Sequence, residues 1–352
     1  MERKNQFKLI HEGAVQLRVP LNYNLKGPGT AQSGFYNASQ KLNRDITLSF
    51  LKTFKPRLAL DAFGGTGVRG IRFLKEAGIK TVITELNRES FDIINQNALL
   101  NGEDPEVINA DFRCVINKYL FDYIDIDPYG SVIPYIGDAI MAVKNRGYIG
   151  ITATDLTALT GSMPQKTLRR YNAYINNDAY RHESGIRLLI ASFVRAAAAQ
   201  DKGAFPLISL WHSHYYRIIF KIYSSANKAD EALAYIGKIN KNKSISDIYM
   251  DMDEGPLWLG HLHGIDFNSL IRIDSPEPEY LKILDRMKND DLSLMFLNLP
   301  DIFRAKKINS IKMEDAIRIL NDNNIRAGRT QFSDTGIKAD ADLRELPELL
   351  IS

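Results

Sequence analysis

Three short apolar segments, each ending in an acidic residue and followed by a segment with helical spacing, constrain the fold of this chain most strongly. The acidic residues that end these segments are Asp61, Glu85 and Asp111. Strands that alternate with helices predict a parallel sheet, and the carboxyl ends of its strands lie at one edge. We therefore predict an α/β fold that gathers the three carboxylates at the edge where open sheets of this kind bind ligands.

The turn after the first strand is rich in glycine, with Gly64, Gly65 and Gly67 close to Asp61. Glycine lets the backbone approach a ligand where a Cβ would clash. The spacing matches neither the G-x-G-x-x-G dinucleotide fingerprint nor the P-loop, which needs Lys followed by Ser or Thr. Asp61 would repel a pyrophosphate but suits the ammonium group of an amino acid. The ligand that this turn favours is S-adenosylmethionine, with Gly65 in the binding site.

The second and third acidic residues suit other parts of the same ligand. Glu85 follows Gly65 by about 20 residues, the spacing at which an acid accepts hydrogen bonds from ribose hydroxyls in Rossmann-like folds. Asp111 is placed to accept a hydrogen bond from an adenine amine. The alternative is that each carboxylate caps the helix that follows it. We favour the cofactor interpretation, because three successive strands end in the same way.

A fourth apolar segment, Phe121 to Ile126, ends in Asp127-Pro128-Tyr129-Gly130. Pro128 restricts its own backbone and biases Asp127 towards an extended conformation, while Gly130 permits an immediate reversal of the chain. Asp127 and Tyr129 are therefore expected beyond the carboxyl edge of the sheet, beside the cofactor. The alternative is a tight turn with a solvated Asp and a half-buried Tyr.

The length of 352 residues exceeds the usual size of a single hydrophobic core, so two domains are expected. We predict a Rossmann-like cofactor domain with an N-terminal arm or hairpin over residues 1–215. The strand-and-helix alternation changes near residue 215, and residues 216–352 are predicted to form a second, α+β domain without a catalytic motif. A helix is expected over residues 230–239 of that domain.

Composition narrows the classes of function. A single cysteine, Cys114, excludes an intramolecular disulfide and a zinc site of several thiolates. The pairs His212/His214 and His261/His263 lack a nearby carboxylate or thiolate in sequence, so we predict no metal and assign them to nucleic-acid contacts or packing. No apolar run approaches the roughly 20 residues that span a bilayer, so we expect a cytoplasmic protein with no membrane contact. Nothing in the sequence indicates an obligatory protein partner.

A basic, tyrosine-bearing segment follows the fifth predicted strand. Basic side chains neutralise phosphates and aromatic rings stack on exposed bases, so this pattern favours RNA binding. The alternative is a solvated helical surface. The residues we predict to contact RNA are Lys166, Arg169, Arg170 and Tyr171 in this segment, with Arg326 and Arg329 near the C-terminus and Lys338 as a further candidate.

Taken in order, several motifs along nearly the whole chain resemble those of the tRNA (guanine-N2)-dimethyltransferase family in its archaeal form. Each motif is weak alone, and their shared order carries the resemblance. They are Phe35-Tyr36-Asn37 with Asn43-Arg44-Asp45, Asp61 to Arg69, Asp127 to Gly130, Thr152 to Asp155, Gly255 to Gly260, and Arg329-Thr330 with Gly336-Ile337-Lys338.

The resemblance implies a class I methyltransferase domain, a family-specific C-terminal domain, S-adenosylmethionine as donor, and mono- and dimethylation of guanosine 26 in tRNA. It implies that Asp127 is the catalytic carboxylate and that Phe35 and Tyr129 flank the reacting group. The cofactor residues that it implies are Arg44, Asp61, Arg69, Glu85 and Asp111.

The chain departs from the family pattern at three points: Tyr129 where Phe is frequent, Glu85 where Asp is usual, and the absence of the zinc-binding cysteines of some relatives. Two other functions stay open at this stage. One is methylation of an amine in another RNA or in a protein glutamine, although the second proline typical of such motifs is missing after Pro128. The other is RNA binding without catalysis.

Overall fold

The computed structural model describes residues 7–23, 25, 27, 33–239, 253–270, 273–274, 276–307, 309–341 and 346–350. The N-terminal segment forms an antiparallel hairpin of β1 (Phe7–Glu12) and β2 (Val15–Pro20), one of the two forms that the sequence left open. Alternate residues of β2 are fully buried, so the hairpin packs onto the body of the protein. These residues are Val15, Leu17 and Val19.

A seven-stranded sheet in the order β5-β4-β3-β6-β7-β9-β8 forms the centre of the protein. The five strands β5, β4, β3, β6 and β7 are parallel, whereas β9 pairs antiparallel with both β7 and β8. The strands are β3 (Leu58–Asp61), β4 (Lys80–Thr84), β5 (Glu106–Ile108), β6 (Phe121–Ile126), β7 (Val143–Ala153), β8 (Gly203–His212) and β9 (Tyr215–Tyr223).

The strand order reverses between β3 and β6, because β4 and β5 extend the sheet on one side of β3 and β6 and β7 on the other. Ligands bind in α/β sheets in the crevice outside the carboxyl ends of such strands. Asp61 is the last residue of β3, and Asp127 comes directly after β6. The reversal therefore places the glycine-rich turn and the Asp-Pro-Tyr-Gly turn at one crevice.

Helices cover both faces of the sheet. Successive residues of the central strands point to opposite faces, so Leu60 and Ile124 belong to one apolar cluster while Ala59 and Tyr123 belong to the other. The helices of this part are α1 (Lys41–Phe54), α2 (Val68–Ala77), α3 (Arg88–Leu100), α4 (Ile133–Ala142), α5 (Leu156–Leu159), α6 (Pro164–Tyr171) and α7 (Arg181–Ala198). The predicted α/β, Rossmann-like fold is confirmed.

The rest of the chain is α+β, with a two-stranded sheet of β10 and β11 and a three-stranded sheet in the order β12-β14-β13. Its strands are β10 (Ile236–Ile239), β11 (Glu254–Trp258), β12 (Leu297–Asn298), β13 (Ala327–Arg329) and β14 (Gly336–Ala339). Its helices are α8 (Ala226–Leu233), α9 (Pro278–Met287), α10 (Leu299–Lys306), α11 (Met313–Asp322) and α12 (Leu346–Leu349).

Two expectations about this part of the chain differ from the structure. The helix predicted over residues 230–239 ends at Leu233, because the following residues form β10, which pairs with Trp258 and its neighbours in β11. The division after residue 215 separates β8 from β9, which are hydrogen-bonded to each other in the central sheet. We propose that the second domain begins after Tyr223 instead.

Candidate active site

A cavity of about 480 Å³ opens at the carboxyl edge of the sheet. That volume lies in the range of small-molecule and cofactor sites. Its wall is built from the segment before α1, the turns after β3 and β6, and the end of β4. It brings together most of the predicted catalytic and cofactor residues, namely Phe35, Arg44, Gly65, Arg69, Glu85, Asp127, Pro128 and Tyr129.

The glycine-rich turn holds the carboxylate of Glu85 at the cavity wall. The backbone N–H of Gly65 donates to Oε2 of Glu85 at 2.8 Å, and that of Asn87 donates to Oε1 at 2.8 Å. Gly65 has a φ of +58°, and a Cβ there would lie 2.9 Å from the carbonyl oxygen of Phe35. The close approach of these two segments therefore requires glycine at position 65.

A buried ion-pair cluster fixes Arg44, which lines the cavity. Arg44 of α1 donates from Nε and Nη2 to the two oxygens of Glu12 at 2.7 and 2.6 Å, and Arg72 of α2 donates to Oε1 of Glu12 at 2.8 Å. Burial alone would raise the pKa of Glu12, but Arg44 and Arg72 lower it to about 2. Sequence analysis did not find Glu12, because a single acid in a hairpin has no distinguishing pattern.

Asp127 lies at the cavity with its carboxylate held from one side. Nη2 of Arg69 donates to Oδ2 of Asp127 at 2.5 Å, while Nε of Arg69 lies 3.3 Å from Oδ1 of Asp125. The side chain of Asp127 is 22 % exposed, in contrast to the fully buried Asp125. Gly130 has a φ of +80°, and its N–H donates to Oγ1 of Thr154 at 2.9 Å. The reversal after Asp127 that the sequence predicts is confirmed.

Two aromatic rings stand beside Asp127. The centroids of the Phe35 and Tyr129 rings are 4.9 Å apart, and their planes are inclined at 72°, an edge-to-face contact. Tyr129 is 53 % exposed, although it is a large aromatic residue. The two rings touch, so a base can stack on the exposed ring of Tyr129 but enters between the rings only if they separate.

Two predicted cofactor residues do not lie in the cavity wall. Asp61 is 1 % exposed and accepts a hydrogen bond from the N–H of Gly70 in α2 at 3.0 Å. Burial raises the pKa of Asp61 to about 7, although Arg69 opposes this change. Asp111 pairs with the guanidinium of Arg113 at 2.7 Å and accepts from its backbone N–H at 2.9 Å. Each carboxylate thus accepts a hydrogen bond from a backbone N–H of the helical segment that follows it. This arrangement is the capping alternative that the sequence left open.

The comparisons with known proteins decide the family. Residues 13–351 match the family model described as N2,N2-dimethylguanosine tRNA methyltransferase. The chain belongs to this family. Among its relatives, the tRNA (guanine(26)-N(2))-dimethyltransferases of Thermoplasma volcanium and Thermoplasma acidophilum are 43 % and 42 % identical to it. The first alignment covers 97 % of this chain and 98 % of the relative, and the second 95 % and 94 %.

A solved structure supports the same assignment. It is the complex of Trm1 from Pyrococcus horikoshii with S-adenosyl-L-methionine, which is 28 % identical to this chain. The two structures superpose with a TM-score of 0.83 over 97 % of this chain and 99 % of the other. The fold of this chain is thus that of Trm1 over almost its whole length.

The predicted RNA-binding residues of α6 differ in accessibility. Arg169 is exposed, Lys166 donates to Oγ1 of Thr157, and Arg170 pairs with Asp155 at 2.8 Å. Tyr171 is 1 % exposed, and its hydroxyl donates to the carboxylate of Asp155 at 2.9 Å. The prediction that Tyr171 stacks on a base is therefore wrong, because an aromatic at this position of α6 faces the core.

The predicted RNA contacts near the C-terminus also separate into exposed and buried groups. Arg326 is exposed, and Arg329 is partly exposed and pairs with Glu314. Lys338 is fully buried and donates to Glu183 at 2.7 Å, so it is a structural residue and not part of an RNA surface. Local sequence does not predict this burial, because the partner Glu183 lies 155 positions away in the chain.

His214, in the turn between β8 and β9, also lines the cavity. Burial and the neighbouring His212 lower the pKa of its imidazole, while Asp127 opposes this change. Among the residues that the structure describes, no hydrogen-bond partner meets its Nε2. The His-x-His pattern drew attention to this residue in the sequence, but nothing local placed it beside Asp127. Within the described ranges, no group of three or more potential metal ligands lies together.

No helix in the described part of the chain is long and apolar enough to cross a membrane.

Proposed function

We propose that this protein transfers methyl groups from S-adenosylmethionine to the exocyclic N2 amine of guanosine 26 in tRNA, first once and then a second time. The observation that carries the proposal is the carboxylate of Asp127, held by Arg69 at the cavity and flanked by Phe35 and Tyr129, in a chain of this family. The predicted cytoplasmic location is compatible with this activity and stays a prediction.

The residues of the cavity fit the proposed donor. When bound, S-adenosylmethionine supplies a methyl group on a positively charged sulfur. Glu85 offers carboxylate oxygens of the kind that bind ribose hydroxyls, and Gly65 keeps a side chain out of the cavity. The guanidinium of Arg44 lines the cavity and suits the carboxylate of its amino-acid part, whereas that of Arg69 is paired with Asp125 and Asp127. Asp61 acts behind the wall, where it orders the start of α2.

Asp127 is proposed to direct and deprotonate the substrate amine. The amine of guanine is a poor nucleophile, because its lone pair is delocalised into the ring. Arg69 occupies Oδ2 of Asp127, so Oδ1 remains to accept an N–H of the amine. This hydrogen bond turns the nitrogen lone pair towards the methyl carbon. Asp127 takes the proton as the N–C bond forms, while the bond from the methyl carbon to sulfur breaks and its electron pair leaves with the neutral thioether. The backbone carbonyl of Pro128 or Tyr129 is proposed to accept the other N–H.

The aromatic pair is proposed to hold the base. A guanine inside the tRNA core is not accessible to the cavity, so it must leave its stack, which costs a few kcal/mol. The half-exposed ring of Tyr129 offers a stacking surface, and Phe35 supports that ring from its edge. Stacking on an aromatic side chain contributes about 1–3 kcal/mol per base and offsets part of this cost.

A nucleoside assay tests the proposal. The protein is incubated with methyl-labelled S-adenosylmethionine and an unmodified tRNA transcript, and the RNA is then digested to nucleosides. We expect labelled N2-methylguanosine followed by N2,N2-dimethylguanosine, and neither product from a transcript with adenosine at position 26. Label in another nucleoside, equal label in both transcripts, or no label in the RNA would contradict the proposal.

A further inference from the structure

A continuous chain of buried charges links the antiparallel part of the sheet to Asp127. Arg217 of β9 donates from Nη2 to Oδ2 of Asp125 at 2.5 Å and from Nη1 to Oδ1 at 3.1 Å. Oδ1 of Asp125 in turn lies 3.3 Å from Nε of Arg69, which holds Asp127. Arg217 and Asp125 are both fully buried. The catalytic carboxylate is thus connected to Arg217, a residue of an antiparallel strand of the sheet.

A glycine in the intervening strand makes this connection possible. β7 lies between β9 and β6, and its Gly150 pairs with Asp125 on one side and with Ile219 on the other. A Cβ at Gly150 would lie 2.3 Å from Nη2 of Arg217 and 2.4 Å from the hydroxyl of Tyr123. The guanidinium therefore crosses β7 through the space that the missing side chain leaves.

The charge balance explains what Arg217 contributes. Burial penalises the charge of Asp125, but Arg217 and Arg69 together lower the pKa of Asp125, so it stays ionised. In the described part of the chain, Arg69 and Arg217 are the cations that pair with Asp125. If Arg217 were absent, the full charge of Asp125 would attract Arg69, in competition with Asp127.

We propose that Arg217 is a positioning residue for methyl transfer: it neutralises Asp125 and so leaves Arg69 to hold Oδ2 of Asp127, with Oδ1 available to the substrate amine. This inference rests on the proposed function and adds to it a residue that does not line the cavity. Other titratable or charged groups line the cavity with Asp127 or interact with Asp127 or with Arg69. They are Arg44 of α1, Asp61 of β3, Arg69 of α2, Tyr123 and Asp125 of β6, His214 of the β8–β9 turn, and Tyr215 of β9.

Two substitutions are expected to shift the pH dependence of the reaction in opposite directions. Arg217→Met removes a positive charge beside Asp125, so protonation of Asp125 becomes easier and the acidic limb of kcat moves to higher pH. Asp125→Asn removes the competing carboxylate and moves the same limb to lower pH. A misplaced catalytic group also slows the reaction, and for Arg217→Met we expect kcat to fall about 10- to 100-fold.

The measurement is the methylation rate of unmodified tRNA at saturating substrates, from about pH 5 to 9. Calorimetric affinity for S-adenosylmethionine is expected to stay near the wild-type value in both variants. The matched control is Lys338→Met, which removes a buried cation from the pair with Glu183 outside the cavity. It should lower the thermal midpoint and leave the pH profile unchanged. Arg217→Lys should keep the acidic limb near its wild-type position.

An unchanged pH profile in Arg217→Met, or shifts of the same direction in both variants, would overturn the inference. A residue with a merely structural role would reproduce the Lys338→Met result. If Arg217→Met does not fold, Asp125→Asn decides alone, because it preserves the size of the side chain. A crystal structure of Arg217→Met gives a readout that does not depend on activity, namely whether Arg69 still contacts Asp127. If the wild-type protein does not methylate tRNA, the proposed function fails. If the Arg69–Asp127 contact is retained in Arg217→Met, the inference about Arg217 is rejected.

Discussion

Nη2 of Arg69 lies 2.5 Å from Oδ2 of Asp127, so the protein holds one oxygen of the carboxylate, and the proposed function assigns the other to the substrate amine. Arg69 is almost fully buried, whereas Asp127 is partly exposed at the cavity. The buried guanidinium keeps one oxygen in place, which orients the other without help from solvent. A general base needs this kind of fixed geometry, because small displacements of a reacting group lower the rate strongly.

Asp127→Ala is expected to lower the methylation rate by about 10³-fold or more, because both the orientation of the amine and the proton acceptor are lost. Affinity for S-adenosylmethionine, measured by calorimetry, should remain near the wild-type value. The control is Asp122→Ala at the start of the same strand, where the carboxylate contacts Leu58 and Lys144 away from the cavity. Robust activity in Asp127→Ala would remove Asp127 from the mechanism.

Glu85→Gln is expected to weaken S-adenosylmethionine binding by roughly 10- to 100-fold, the effect of losing charge-assisted hydrogen bonds worth about 1.5–3 kcal/mol. The amide oxygen of Gln can still accept from the N–H of Gly65, so the turn should keep its shape. Calorimetric titration measures the affinity, with Glu106→Gln on the neighbouring strand as the control. Equal affinities in the wild type and in Glu85→Gln would contradict the ribose role of this residue.

Tyr129→Ala is expected to lower kcat/KM for tRNA by roughly 5- to 100-fold, because a stacking surface worth about 1–3 kcal/mol per base is removed. Tyr129→Phe is the matched variant, since it keeps the ring and loses only the hydroxyl. Steady-state rates with varied tRNA distinguish the two. Wild-type kcat/KM in Tyr129→Ala would show that the base is held elsewhere, and a large loss in Tyr129→Phe would assign the effect to the hydroxyl.

Glu12 is expected to make stability depend on pH in the acidic range. Its pKa is about 2 in the folded protein and 4.5 in the unfolded chain, so its contribution is fully present above 4.5 and is lost as the pH falls towards 2. This difference corresponds to about 3 kcal/mol. Urea unfolding at pH 7 and pH 3 measures it, and the loss on acidification should be smaller in Glu12→Gln. The same loss in both proteins would exclude Glu12 as its origin.

Local sequence patterns predicted the elements that carry the site. The segments before Asp61, Glu85 and Asp127 are short, apolar and bounded by turn residues, a pattern typical of buried strands. Gly65 and Gly130 occupy left-handed conformations that glycine adopts without strain. The carboxyl edge of a parallel sheet then follows from the alternation of strands and helices. The same patterns located Glu85 and Asp127 at one cavity, although they are far apart in the chain.

Other predictions failed where a side chain is buried against a partner from another segment of the fold. Tyr171 and Lys338 have the composition of an RNA surface, but the structure buries one against Asp155 and the other against Glu183. Asp61 has the position of a ligand-binding acid, yet it accepts a hydrogen bond from Gly70 behind the cavity wall. Residue type cannot distinguish an exposed polar group from a buried one whose partner comes from another element.

The sequence by itself determined the fold class, the family resemblance and the chain reversal at Asp-Pro-Tyr-Gly, because strand periodicity, glycine positions and turn residues act through neighbouring residues. Only the tertiary structure decided that Glu12, Asp125 and Arg217 belong with the site. Their contacts depend on strand order and on the space above Gly150, which no local pattern encodes. Buried charges are stable only when their partners meet them, and the fold as a whole brings those partners together.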